Sequence, residues 1–300
     1  GAAVVPGAYQ VRITNTEGVA TSNIVTLTIV SASNAGRLSN LSVRTNAGTG
    51  DATLIVGVGI GGAGTSGDKA VLLRGVGPAL SAFGVSGALA DPVMTIFSGQ
   101  TEIASNDDWA GGFDFASVGA FAFPANPRDA AIFTSEANSG SYSIQITGKG
   151  GATGIALAEI YDATPSATFA VTTPRLINVS ARTHVGTGDN ILIVGFAVGG
   201  STSARLLIRA VGPGLAAFGV GGTLGDPKLE IYSGSTKVSE NDNWAAADAS
   251  AFSAVGAFGL TANSRDAASV VTLQPGTYTV QVSGVGATTG VALVEVYQLP

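Results

Sequence analysis

Gly140-Ser141-Tyr142-Ser143-Ile144-Gln145-Ile146 alternates polar and large apolar side chains, and Gly276-Thr277-Tyr278-Thr279-Val280-Gln281-Val282 does the same later in the chain. Period two is the signature of a strand with one buried and one wet face. Working outward, further alternating or apolar runs lie at 52–60, 70–76, 93–97, 101–104, 130–134 and 154–161, with equivalents at 190–198, 204–211, 228–232, 236–239, 267–273 and 290–297. Short strands at this spacing, broken by turn residues, predict an antiparallel β-sandwich, made twice. Two segments read as short helical turns capping the sandwich, around Pro78 to Phe83 (Pro213 to Phe218) and around Phe115 to Phe121 (Ala249 to Phe258).

The duplication sets the domain organisation. Arg37-Leu38-Ser39-Asn40-Leu41-Ser42-Val43-Arg44-Thr45 opens the first copy and Arg175-Leu176-Ile177-Asn178-Val179-Ser180-Ala181-Arg182-Thr183 the second. The expectation is an all-β chain of two tandem, jelly-roll-like β-sandwich domains, 37–163 and 175–300. A Ser/Thr/Ala/Pro stretch, 164–174, joins them as an extended spacer. Ahead of both, the runs Ala8 to Thr14 and Asn23 to Val30 flank the turn Asn15-Thr16-Glu17-Gly18 and predict a hairpin within 1–32. A lone hairpin is marginal in water. It therefore packs on the next domain, pairs with another chain as a donor of strands, or is the end of a larger protein. The start without Met or a signal peptide reads as a mature or clipped product.

The 300 residues include 43 Gly and 11 Pro, no Cys, one His and 11% charged residues, against about 25% charged in an ordinary soluble chain. Such a surface is suited to lying against copies of itself. A net charge of −6 without a Lys/Arg cluster gives no electrostatic footprint for nucleic acid. No apolar run is long enough for a membrane-spanning helix. Without Cys there are neither disulfides nor thiolate metal sites, which fits a secreted bacterial protein as well as a cytosolic one.

Three resemblances follow from quoted residues. Gly7-x-Tyr9-x-Val11 followed by Asn15-x-x-Gly18 resembles the last two strands of an immunoglobulin-like domain. The second half of each copy, with an apolar strand, then Asn-Asp-Asp or Asn-Asp-Asn, then Gly-x-Tyr-x-Ile/Val-x-Ile/Val, resembles the bacterial pre-peptidase C-terminal domain, which implies a secreted β-sandwich that in some cases holds calcium. Whole copies, with Gly-Thr-Gly-Asp, Arg-x-Val-Gly-Pro and Phe-Gly-Val, resemble a Gly-rich tandem repeat of surface proteins in Verrucomicrobia-like bacteria. That resemblance implies a place outside the cell or on its surface and no particular activity.

Candidate chemistry concentrates in a few matched residues. Asn106, Asp107 and Asp108, with Asn241, Asp242 and Asn243 in the second copy, are hard oxygen donors of the type that binds calcium; equally, Asx residues in a tight loop cap backbone N–H groups. Trp109 and Trp244, the two tryptophans, follow directly and serve either as exposed platforms for a glycan or protein partner or as plugs at the end of the core. Gly57-x-Gly59-x-x-Gly62 formally matches a dinucleotide fingerprint but leads into a loop and not a helix. His184 stands where the first copy has Asn46, which speaks against a His-based triad. The matched acids, such as Asp51/Asp189 and Asp129/Asp266, each have a simpler structural use, and the acids found in only one copy lack recognisable acid–base spacing. Arg74, Glu159, Arg209 and Glu295 sit inside apolar strands and are expected to form the ion pairs Arg74–Glu159 and Arg209–Glu295 across the sheets, fixing register without catalysis.

The leading expectation is a non-catalytic extracellular structural protein, a subunit of a cell-surface stalk, adhesin or self-assembling filament, with copies of itself as partner. The alternative is a glycan- or protein-binding module of a secreted hydrolase, with calcium as its cofactor.

Overall fold

A computed structural model describes residues 7–27, 34–125 and 127–300, which fall into two units divided after Ser33. The first unit turns back at Asn15–Gly18 as expected, but the strand paired across that turn is Gly18–Thr21, ahead of the expected run Asn23 to Val30. It comprises β1 (Gly7–Tyr9), β2 (Arg12–Asn15), β3 (Gly18–Thr21) and β4 (Val25–Leu27), with β2 on β3 and β1 on β4, both antiparallel. The turn forms because Asn15 Oδ1 accepts the N–H groups of Glu17 and Gly18, at 2.9 and 3.0 Å, an Asx turn that substitutes for backbone partners. The end of the second predicted run, 28–30, and the linker residues 31–33 lie outside the described residues.

In the second unit the first repeat contributes β5 (Arg37–Ala47), β6 (Leu54–Gly61), β7 (Lys69–Val76), β8 (Pro92–Ser98), β9 (Thr101–Asn106), β10 (Ala130–Ala137), β11 (Gly140–Gly148) and β12 (Gly154–Asp162). The second contributes β13 (Arg175–Val185), β14 (Leu192–Gly199), β15 (Ala204–Val211), β16 (Pro227–Ser233), β17 (Thr236–Asn241), β18 (Ala267–Leu273), β19 (Gly276–Gly284) and β20 (Gly290–Gln298). All of these pair antiparallel, giving an all-β sandwich.

The repeats are not strung in series, as the sequence led us to expect. One sheet runs β9-β8-β11-β6-β13-β20-β15-β18 and the other β17-β16-β19-β14-β5-β12-β7-β10, so each takes four strands from each repeat. The junctions are β6 on β13 and β14 on β5, related by the same exchange, and a single bridge, Leu38 to Leu176, ties the two sheets together. The inner faces of both sheets share one continuous apolar core that draws on both repeats. The physical cause lies in the opening strands. Each carries a β-bulge, at Ser39 against β14 and at Ile177 against β6, where the register slips by one residue. A bulge adds twist and bend, and each opening strand is bonded on one side to its own repeat and on the other to its twin.

Gly57 and Gly195 show the same junction from the other side. A Cβ on Gly57 would meet Ser180 Oγ at 2.5 Å, and one on Gly195 would meet Ser42 Oγ at 2.6 Å. Gly57 belongs to the Gly-x-Gly-x-x-Gly run, so a close strand contact accounts for it. The segment 164–174 is not an extended spacer either. Thr168 and Phe169 N–H groups both donate to Pro165 O, at 3.0 and 3.1 Å, and the Phe169 ring is buried under Arg37, whose guanidinium lies 3.7 Å from the ring centre.

Candidate functional site

Along β7, Val71 and Leu73 face the shared core, while Leu72 and Arg74 face the opposite way, as period two requires. That outer face is covered by the chain between β9 and β10, which lays Trp109, Phe113, Phe115 and Phe123 over Leu72 and Tyr161 as a small second core, while Phe121 packs beside Val76, Ala79 and Leu80. The short 3-10 turns Pro78–Phe83 and Phe115–Val118 belong to this covering layer; in the second repeat the counterparts are Pro213–Phe218 and the helix Ala249–Ala254. These are the predicted helical turns, placed over a sheet face.

Arg74 is fully buried there, 4.6, 4.3 and 4.3 Å from the ring centres of Phe115, Phe121 and Phe123, and its Nη1 donates to Phe121 O at 2.9 Å. Its Nε lies 3.3 Å from Glu159 Oε2, and Tyr161 Oη donates to Glu159 Oε1 at 2.6 Å. In the second repeat Arg209 Nε donates to Glu295 Oε2 at 2.9 Å, Nη1 to Phe258 O at 2.6 Å, and Tyr297 Oη to Glu295 Oε1 at 2.6 Å. The expected pairs therefore exist. They join neighbouring strands of one sheet, however: Arg74 faces Glu159 on β7 and β12, and Arg209 faces Glu295 on β15 and β20. They do not cross between sheets because these side chains point away from the core that separates the two.

Burial lowers the pKa of Arg74, with Glu159 opposing, and raises that of Glu159 against the pull of Arg74. Tyr161 and Tyr297 are driven above the ordinary tyrosine range by burial and by the adjacent carboxylates. A phenol held protonated and donating to a buried carboxylate acts as a structural clamp between neighbouring positions of one strand.

Asp129 and Asp266 hold the covering segment down. Asp129 Oδ1 accepts the N–H groups of Gly77 and Ala79 at 2.8 and 3.1 Å, and Asp266 Oδ1 those of Gly212 and Gly214 at 2.8 and 3.0 Å. Ser264 Oγ donates to Asp266 Oδ2 at 2.7 Å, whereas Pro127 occupies that place in the first repeat and Asp129 Oδ2 is buried without a partner. Burial accordingly raises the Asp129 pKa, against the lowering effect of the two N–H donors and Arg74. The side chains of Asp51 and Asp189 lie outside the described residues.

A cluster found only in the first repeat went unseen in the sequence. Asp162 receives Lys69 Nζ and Arg37 Nε, the latter at 2.9 Å, and its Oδ1 also accepts Thr164 N at 2.9 Å, pinning the start of 164–174. Desolvation lowers the pKa of the fully buried Lys69 while Asp162 raises it. The second repeat has Ala204 and Gln298 at the positions of Lys69 and Asp162, so comparing the copies at these two places was the available signal.

The Asx loops are built as backbone clamps. Asn106 Oδ1 accepts Ala131 N at 2.9 Å and its Nδ2 donates to Asp108 O at 3.1 Å; Asn241 repeats both bonds, to Ala268 N at 3.0 Å and Asn243 O at 3.0 Å. Asp107 is paired with Lys149 at 2.7 Å, which holds its carboxyl below the usual range, and Asp242 Oδ1 accepts Asn243 Nδ2 at 3.1 Å. The Asn106 and Asn241 amide oxygens, two of the candidate calcium ligands, are thus directed at backbone N–H groups. Among the described residues no three His, Cys, Asp or Glu side chains gather in a metal-holding cluster.

Trp109 and Trp244 are half-buried, stacked or tilted on Phe115 and Phe252 with ring centres 5.3 and 5.4 Å apart, and each backbone N–H donates to Asp129 O or Asp266 O. Trp244 Nε1 is bonded to Ser264 Oγ at 3.1 Å. Each ring is therefore part plug and part surface. Beside Trp109 lies an open recess of about 530 Å³ whose walls include Phe113, Phe123, Pro124 and Pro127.

Fold and site together define a duplicated, strand-sharing antiparallel sandwich whose matched polar residues brace an aromatic covering layer. No protein-family model and no curated protein matches the chain. Among solved structures it is similar to the vicilin of Corylus avellana (hazelnut), at 7% identity over 86% of this chain and 74% of that one, with a TM-score of 0.17. The vicilin of Solanum melongena matches at 6% identity over 88% and 74%, with a TM-score of 0.18. Scores this low carry no functional argument.

Proposed function

We propose that the chain is a non-catalytic extracellular structural protein, a subunit of a bacterial cell-surface stalk, adhesin or self-assembling filament, whose N-terminal hairpin joins one subunit to the next by strand addition. The observation that carries this reading is the hairpin. Its described strands pair only with one another, and Val11, Ile13, Val19, Ile24 and Val25 are all exposed. Exposed apolar side chains on both sides of a two-stranded ribbon favour burial in a further sheet, and main-chain hydrogen bonds along a sheet edge supply affinity. The body supports the same reading, because its buried matched charges, Arg74 with Glu159, Arg209 with Glu295, and Asp129 and Asp266, are engaged in internal clamps. Deleting residues 1–33 and following particle mass by sedimentation and electron microscopy tests it: polymers of unchanged length without the hairpin would refute strand addition.

A second reading, a glycan- or protein-binding module of a secreted hydrolase, is favoured by the recess beside Trp109, whose aromatic rings and mixed polar and apolar lining suit a sugar ring. Tryptophan emission titrated with soluble glycans distinguishes it, since a shift lost on Trp109→Ala would favour this reading.

A further inference from the structure

The two repeats also diverge near one pair of edge strands. In the first, a cavity of about 240 Å³ lies between edge strands β9 and β10, walled by Val58, Ile60, Leu73, Ile96, Ile132 and Ile160. In the second, Phe196 stands where the first has Val58, and its ring stacks on Tyr278 with centres 5.4 Å apart. Leu273, buried and facing Ala204 in register, takes the place that Ala137 holds opposite Lys69. Where the first repeat has Ala104 and Ile132 on the two edges, the second has Ser239 and Ser269, whose hydroxyls are 2.7 Å apart and tie the edges together. Two large side chains and a cross-edge hydrogen bond thus close in one repeat what is open in the other.

An unfilled apolar void lowers stability in proportion to its volume, so three separate changes that preserve one are informative. Two of the polar groups around it are engaged within the chain: Tyr142 Oη donates to Asn138 O at 2.9 Å, and Thr134 Oγ1 accepts Glu136 N at 3.1 Å. Glu136, exposed beside the opening, disfavours an anionic ligand. Apolar cavities of about 150 Å³ take up benzene and stay free of water, and drug-sized pockets begin near 300 Å³.

From these dimensions we infer that the first repeat holds a binding site for one uncharged hydrocarbon-like molecule, of roughly one ring with a short alkyl substituent, entering between β9 and β10. The second repeat has no such site. Strand addition by the hairpin is not required for it.

The experiment is a methyl-resolved NMR titration of the full chain with toluene. Shifts are expected at Val58, Ile60, Ile96, Ile132 and Ile160 and not at Val194, Val280 or Val296. Val58→Phe, which installs the second repeat's residue, weakens binding by more than about tenfold. Ala104→Ser combined with Ile132→Ser, which copies the closed edge, does the same and covers the case in which Val58→Phe does not fold. Phe196→Val opens a second set of shifts around Tyr278. Absence of saturable shifts in the wild type, or shifts of equal size in both repeats, or binding that survives both closing variants, overturns the inference.

Discussion

At the scale of single residues, the buried Arg74 and Glu159 carry the sharpest expectations. Glu159→Ala leaves a guanidinium sealed among three phenylalanine rings without its counter-charge, and the loss should be about 3–5 kcal/mol by urea denaturation. Replacing both partners, Arg74→Met with Glu159→Leu, should recover most of that loss, because the desolvation cost disappears with the charges. A double variant as unstable as the single would show that the pair itself, and not the avoidance of a lone charge, holds β7 to β12. Asp129 offers a test in pH. Burial raises its folded pKa, so its contribution is fully present below the ordinary carboxyl pKa of about 4 and is lost as pH rises through the folded value. Pro127→Ser supplies the donor that Ser264 gives Asp266, favours the ionised form and returns part of that loss. Against Pro127→Ala it should gain about 1 kcal/mol at pH 7, with the gap closing towards pH 3. A gap that is constant in melts across this range would mean that the serine does not reach Oδ2.

At the scale of elements, the Asn clamps bind edge strands to the loops that precede them. Asn106→Ala removes the acceptor for Ala131 N and the donor to Asp108 O, and should cost about 1–3 kcal/mol together with a red shift of tryptophan emission. Because the amide oxygen is turned to the backbone, neither calcium nor a chelator should move the wild-type melting temperature; a calcium-dependent rise of several degrees would restore the metal reading of these loops. How much of this was legible in the sequence follows from period. The runs from 52–60 to 290–297 became strands because each is alternating or continuously apolar and bounded by turn residues, and the Asn15 turn became a reversal of the chain because its Asx chemistry is local. The opening strands β5 and β13 were recognised only as starts of the copies. Their apolar positions step from Leu38 to Leu41 and from Leu176 to Val179, three apart, because a bulge sits between, and a slipped period hides both the strand and its second neighbour. The ion pairs were legible by residue and not by geometry: the sequence placed Arg74 and Glu159 inside strands, but which strands adjoin is a non-local fact.

At the scale of the molecule, sharing strands changes what a repeat is. Taken alone, the first repeat would expose β5 along its edge to β14 and β6 along its edge to β13, with Leu38, fully buried in the intact chain, brought to water. Free edges of this length invite association. The second repeat expressed alone would meet the same problem at β13 and β14. Two sandwiches in series would melt as separable domains, whereas two sheets each built from both repeats have no intermediate in which one half stays whole. We therefore expect residues 34–300 to unfold in one calorimetric transition whose van't Hoff and calorimetric enthalpies agree. Neither 34–174 nor 175–300 should give a folded monomer by itself, while mixing the two should restore strand signal in circular dichroism. Two resolved transitions in the intact chain, or a stable monomeric fragment, would show that the β6–β13 and β14–β5 junctions add little. A body that yields only as a whole is also the body a load-bearing surface subunit requires, since tension entering at one repeat is shared across both sheets before any single strand can leave.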